Sequence, residues 1–177
     1  MHKTSTVAIL LVMSVCLAHA QQPETLSAMK QYARLSEDRI DLLEVLLQVS
    51  QMVNPKLNTD SCRSVVSKIA ETAKYRSTTN ASPRDNIRTL ASTIHNTFGI
   101  TIPHRPSSQI SPEYGMIHFA VINKKANCLG LVTLYLIVSE RLGVPLRAET
   151  VSTHITLKYD DGRTLFFVEP TTGGDCS

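Results

Sequence analysis

Cys128, His154 and Glu169 are the residues of this chain whose types and order could do covalent chemistry. A thiolate attacks a carbonyl carbon, an imidazole carries the proton away and returns it, and a carboxylate fixes which ring nitrogen holds that proton. Cys128 follows Asn127 at the head of the most apolar segment beyond the first twenty residues, which closes on Glu140-Arg141-Leu142-Gly143. Apolar side chains lie all round that segment, so it reads as a buried helix terminated by Gly143 and Pro145. In its first turn, unpaired backbone N–H groups and the positive end of the helix dipole favour a thiolate.

Downstream, β-rich runs cover residues 146–151, 153–159 and 164–168, the last two separated by Asp160-Asp161-Gly162-Arg163. Asp-Gly tolerates the positive φ angles of a type I′ turn, so this is a hairpin signal. With Asp161 and Gly162 as the two loop residues, Ile155 pairs with Val168 and Leu157 with Phe166 on one face. On the other face His154 then stands opposite Glu169, with β-carbons roughly 4.5 to 5.5 Å apart. Taken singly, each residue has a structural explanation: a free cysteine is often inert core, a strand histidine is often just a satisfied polar group, and a glutamate can simply pair with a cation. Their conjunction in this order points to a nucleophile, its base and an orienting acid.

The elements that must position them begin with helices. Residues 25–53 carry Leu26, Met29, Ala33, Ile40, Leu43 and Leu47 at helical spacing, as one long helix or two short ones, stopped by Asn54-Pro55. A second helix is expected from residue 61 or 62 to 74, with Val65, Val66, Ile69 and Ala73 inward. Ser82 caps a third with Pro83 at its first position, Ile87, Leu90, Ile94 and Phe98 on one face, and Gly99 at its end. Residues 100–113 hold three prolines and read as a loop or crossing segment, and 117–122 fits either a strand or the entry to a helix. Helices first and strands last argue an α+β fold.

The 177 residues, 42% hydrophobic and 19% charged, suit one globular domain. His2 and Lys3, the apolar run of residues 7–17 and Ala18-His19-Ala20 read as a secretory signal cleaved after Ala20. That run is roughly half the ~20 residues a membrane span needs, so no membrane association is expected after cleavage. Export, to the periplasm or outside the cell, places the remaining Cys62, Cys128 and Cys176 where disulfides persist, and an odd count leaves one thiol over. A net charge of +3 without a dense basic stripe gives no footprint for nucleic acid. The six histidines are scattered and no Cys-x-x-Cys occurs, so neither a metal site nor a cofactor is expected; His104 and His118 read as ordinary polar loop residues.

Several separated blocks occur in a telling order: Asn127-Cys128-Leu129-Gly130-Leu131, Leu134-Tyr135, Glu140-Arg141-Leu142-Gly143-Val144-Pro145, a strand histidine, and Phe167-Val168-Glu169-Pro170-Thr171-Thr172-Gly173-Gly174. On these blocks, about a third of the chain, the sequence resembles the transglutaminase-like superfamily, and more narrowly its small bacterial transglutaminase-like domains. The resemblance implies a papain-like α+β fold with Cys128 as nucleophile, His154 as general base and acid, and Glu169 as orienting acid. It also implies acyl transfer or hydrolysis at amide bonds of a protein or peptide substrate through a thioester. The wider family more often has Asp where Glu169 stands, which changes the reach of that side chain. The backbone N–H of Cys128 would be one oxyanion donor, with Asn127 or Asn123 as the second. With Cys128 so assigned, Cys62 and Cys176 are expected to form a disulfide. The organisation is then a signal peptide over 1–20, a helical part over 21–99 and a transglutaminase-like core over 100–177, joined in one compact domain. The alternative function is a catalytically inactive binding or assembly module with residues 25–53 as its partner surface. The sequence does not specify an oligomeric state.

Overall fold

Hydrogen-bonding side chains mark where four of the five described helices begin. A computed structural model of the protein describes residues 41–78, 80–103, 111–151 and 154–177. The expected signal peptide, the first part of the expected 25–53 helix and His104 lie outside them. Helix α1 (Leu42–Val53) starts at Asp41, whose extended backbone lets its carboxylate accept from the Glu44 N–H, and it ends at Asn54. Helix α2 (Thr59–Arg76) is capped by Asn58 and runs slightly beyond both expected ends. Arg63 on α2 grips Glu44 on α1 with two bonds of 2.8 and 2.7 Å. Helix α3 (Pro83–Ser92) has the expected Ser82 cap and first-position proline, then widens into a π turn over Thr93–Thr97 before Gly99.

A 3₁₀ turn (Pro112–Gly115) leads into α4 (Ile117–Asn123), so the segment that fitted either strand or helix is a helix, and His118 lies on its buried face. Helix α5 (Cys128–Leu142) follows, capped by Asn127 and closed by Gly143. Four strands complete the chain: β1 (Leu146–Val151), β2 (His154–Asp160), β3 (Leu165–Glu169) and the short β4 (Asp175–Cys176), paired antiparallel in chain order. Among the described residues the fold is therefore α+β, with five helices and one four-stranded antiparallel sheet.

Helix α5 is the centre of the molecule. It packs against α2 and α4 on one side and against β1 and β2 on the other, and every residue from Leu129 to Ser139 is buried. Burying each large aliphatic side chain in this way stabilises the fold by about 1.5–3 kcal/mol. Two of the three buried hydroxyls of the segment turn back on the helix itself, Thr133 to the Leu129 carbonyl and Ser139 to the Leu136 carbonyl. The third, on Tyr135, finds its partner outside the helix, in the ring of His95 at 2.9 Å.

Two sequence expectations are corrected. The hairpin register is shifted by two residues: Leu157 pairs with Val168, and Tyr159 with Phe166. The cause lies in the loop, where Asp161 Oδ1 accepts from the N–H groups of both Arg163 and Thr164, and Asp160 Oδ1 accepts from Gly162. These side chains stand in for backbone partners and widen a two-residue turn to four residues. Because strand faces alternate with a period of two, the inward apolar set is unchanged. The expected Cys62–Cys176 disulfide is not formed, and Cys62, Cys128 and Cys176 are all free thiols. Cys62 is enclosed in the helical layer, whereas Cys176 lies on the edge strand beside α3 with its thiol directed at the Gly174 carbonyl. The C-terminal strand is held by other means: Arg84 on α3 donates to the Cys176 carbonyl at 2.8 Å and lays its guanidinium over the Phe166 ring.

Candidate active site

The path of the chain returns His154 to the end of the layer from which α5 begins. Helix α5 has 15 residues and β1 has 6. At about 1.5 Å and 3.3 Å per residue their lengths nearly match, ~22 and ~20 Å. The short link 143–145 joins them, and they pack together, so β1 runs back along the helix. β2 then starts with His154, and β3, antiparallel to it, ends with Glu169. The turn after Glu169 (Pro170–Thr172) also packs on α5.

His154 Nε2 and Glu169 Oε2 are 2.8 Å apart. The expected partnership therefore forms, although the corrected register sets Thr156, not His154, across from Glu169. The pair is diagonal, a separation of roughly 7–8 Å between backbone positions, within reach only of long side chains. The extra methylene of Glu over Asp supplies that reach. The other oxygen, Oε1, accepts from both the backbone N–H and the hydroxyl of Thr171. Desolvation alone would raise the Glu169 pKa, but the Thr171 bonds and then His154 outweigh it and hold the carboxyl below its ordinary range. A carboxylate on Nε2 leaves Nδ1 as the ring nitrogen able to exchange a proton, and Nδ1 has no hydrogen bond among the described residues.

Cys128 is the first residue of α5 and only partly buried, with its side chain against the edge of the core. Among the described residues its N–H has no backbone partner, as expected in a first turn. The segment around it is fixed from three directions. Asn127 Oδ1 accepts from the Gly130 N–H at 3.0 Å, and the Asn127 N–H donates to the Tyr114 carbonyl at 2.9 Å. Thr101 exchanges backbone bonds with Lys124 and Ala126, forming a parallel bridge just before the helix. Gly130 makes the fit possible: a Cβ there would stand 2.4 Å from the Tyr114 carbonyl oxygen.

Among the described residues the Cys128 thiol makes no hydrogen bond, to His154 or to any other group. The amide nitrogen of Asn127 is likewise unbonded, whereas Asn123 is exposed at the end of α4 and makes no bond to α5. Sequence reasoning missed three residues. Thr171 is one; the others are His95 and Tyr135, joined beneath the turn after Glu169 by a 2.9 Å bond between Nε2 and the phenol. Tyr135 lies in one of the blocks that carry the family resemblance, but nothing in its type or spacing pointed to a partner forty positions away. Burial pushes the Tyr135 phenol well above its ordinary value, and it pushes His95 down despite the Ile100 and Pro170 carbonyls that favour the charged ring. Among the described residues no group of three or more His, Cys, Asp or Glu is disposed to hold a metal ion, and no helix is long and apolar enough to cross a membrane.

No protein-family model, curated protein or solved structure matches the chain.

Proposed function

We propose that the protein is an exported transglutaminase-like cysteine enzyme that opens amide bonds of a protein or peptide substrate through a thioester on Cys128. The Cys128 sulfur attacks the amide carbonyl and His154 Nδ1 takes the thiol proton. The tetrahedral intermediate collapses, its C–N bond breaks, and the departing amine takes that proton from the imidazole. Water or a second amine then attacks the thioester carbonyl, passing its proton to His154, which returns one to the sulfur as the thiolate leaves. The N–H of Cys128 and the free amide nitrogen of Asn127 are the donors for the oxyanion. The observation that supports this reading is the His154–Glu169 bond, with Glu169 pinned by Thr171 and the opposite ring nitrogen free of hydrogen bonds among the described residues.

One observation favours the second reading, a non-catalytic binding module of the same fold: no hydrogen bond joins the Cys128 sulfur to either nitrogen of His154. Alkylation of Cys128 by iodoacetamide, followed across pH by mass mapping, separates the two. Rapid modification below pH 8 that is lost in His154→Ala supports the enzyme; a slow thiol indifferent to His154 supports the module. Amine release from peptides, with and without an added amine acceptor, then distinguishes hydrolysis from transfer.

A further inference from the structure

Beneath the turn that follows Glu169 lies a polar pair that the proposed reaction leaves unused. His95 sits in the π turn at the end of α3, and Tyr135 is fully buried on α5. The Ile100 carbonyl, 2.8 Å from His95 Nδ1, can only accept, so Nδ1 carries the ring proton. Nε2 shares the 2.9 Å bond with the Tyr135 hydroxyl, and the Pro170 carbonyl, which can only accept, also acts on the ring. The π turn, closed by a bond from the Phe98 N–H to the Thr93 carbonyl, inserts one residue into the helical path, a device that re-aims side chains and recurs at functional sites.

The turn bearing Glu169 rests on this pair. A Cβ on Gly174 would meet the Tyr135 hydroxyl at 3.0 Å and the Ala91 Cβ at 2.4 Å, so the backbone of Gly174 lies directly against both. The Gly174 N–H donates to the Glu169 carbonyl at 2.9 Å, and the Thr172 hydroxyl reaches the same carbonyl at 3.2 Å. Any shift of Gly174 is therefore passed to Glu169, whose carboxylate spans a diagonal to His154 while held at its other oxygen by Thr171. A displacement of about 1 Å is enough to open such a bond.

We infer that His95, acting through Tyr135, is a positioning residue that seats the Glu169–Gly174 segment so that the Glu169 carboxylate stays within reach of His154. This rests on the reading of Glu169 as the orienting acid. The test is a double-mutant cycle on the full chain, reading the rate at which iodoacetamide modifies Cys128 at pH 7. Tyr135→Phe keeps the packing and removes only the hydroxyl, and His95→Gln keeps a polar group of similar length. Each is made alone and together with Glu169→Gln. Both should slow modification about three- to tenfold in the otherwise native chain and leave the Glu169→Gln rate unchanged, because the carboxylate they position is already gone. Hydrogen exchange at the Gly174 amide should accelerate in the same variants while the circular dichroism of the helices is retained. Equal slowing in both backgrounds, or no slowing in either, overturns the inference. A native rate that His154→Ala does not change overturns the enzymatic reading beneath it, and the inference with it.

Discussion

Strand β2 carries an ion pair at each end, and the two differ in one respect. Near the hairpin loop, Arg147 Nη2 and Asp160 Oδ2 lie 2.7 Å apart; at the other end, His154 Nε2 and Glu169 Oε2 lie 2.8 Å apart. Their exposures are similar, 35% and 25% against 42% and 28%, so solvent screening does not separate them. The cations do. A guanidinium keeps its proton throughout the working pH range, whereas an imidazole exchanges one, and among the described residues its second nitrogen has no hydrogen bond. The same cross-strand geometry serves as a structural tie at one end and as a candidate proton carrier at the other.

The largest expected break in that comparison is at the cations. His154→Ala should slow iodoacetamide modification of Cys128 about 100-fold near neutral pH, while Arg147→Ala should leave it within about twofold. At the anions, Glu169→Asp should cost about tenfold in the same rate, because one methylene fewer cannot span the diagonal while keeping the Thr171 bonds. Asp160→Asn should leave that rate unchanged and lower stability in urea by no more than about 1 kcal/mol, typical of a partly exposed pair.

Glycines sharpen the contrast further. Gly162 in the loop and Gly174 after the acid both have φ near +80°, but a Cβ on Gly162 meets open space, whereas one on Gly174 strikes Ala91 and Tyr135. Gly162→Ala should cost about 1 kcal/mol from the left-handed backbone alone. Gly174→Ala should cost about 3 kcal/mol, adding overpacking to strain, as measured by urea denaturation.

The smallest effect is one of pH. Burial holds His95 and His118 below their ordinary value of 6.5, so the unfolded chain takes up protons that the folded one refuses. Their contribution to stability is complete above 6.5 and declines as pH falls below it. The urea midpoint should therefore drop between pH 7.5 and 5.5, and less steeply in His118→Leu. Asp161, in the loop, adds nothing over this window, because the Thr164 and Arg163 N–H groups hold its carboxyl below 3.8.

Where side-chain chemistry is local, the sequence was legible. Ser82 and Pro83 mark the start of α3, Gly143 marks the end of α5, and apolar spacing identifies the buried faces of α2 and α3. The hairpin's faces were legible too, since alternation survives a two-residue slip, but its register was not. Asp160 and Asp161 compete as acceptors with the backbone, and no propensity distinguishes a two-residue Asp-Gly turn from the wider loop they build. His154 and Glu169 were paired correctly through the wrong register, because a long carboxylate side chain reaches a diagonal neighbour as well as a facing one. The role of His95 was illegible because it depends on a π insertion, which has no compositional signal, and on a partner forty positions away.

The last residues of the chain are zipped into the sheet: Phe167 and Ser177 exchange backbone bonds of 3.0 and 3.1 Å, and Arg84 clasps the Cys176 carbonyl. Drawn from its C-terminus by an optical trap, the molecule would peel open at this edge before its helices parted. The first piece released would be the stretch leading back to Glu169, so a small mechanical load would part Glu169 from His154 while most of the molecule stayed folded.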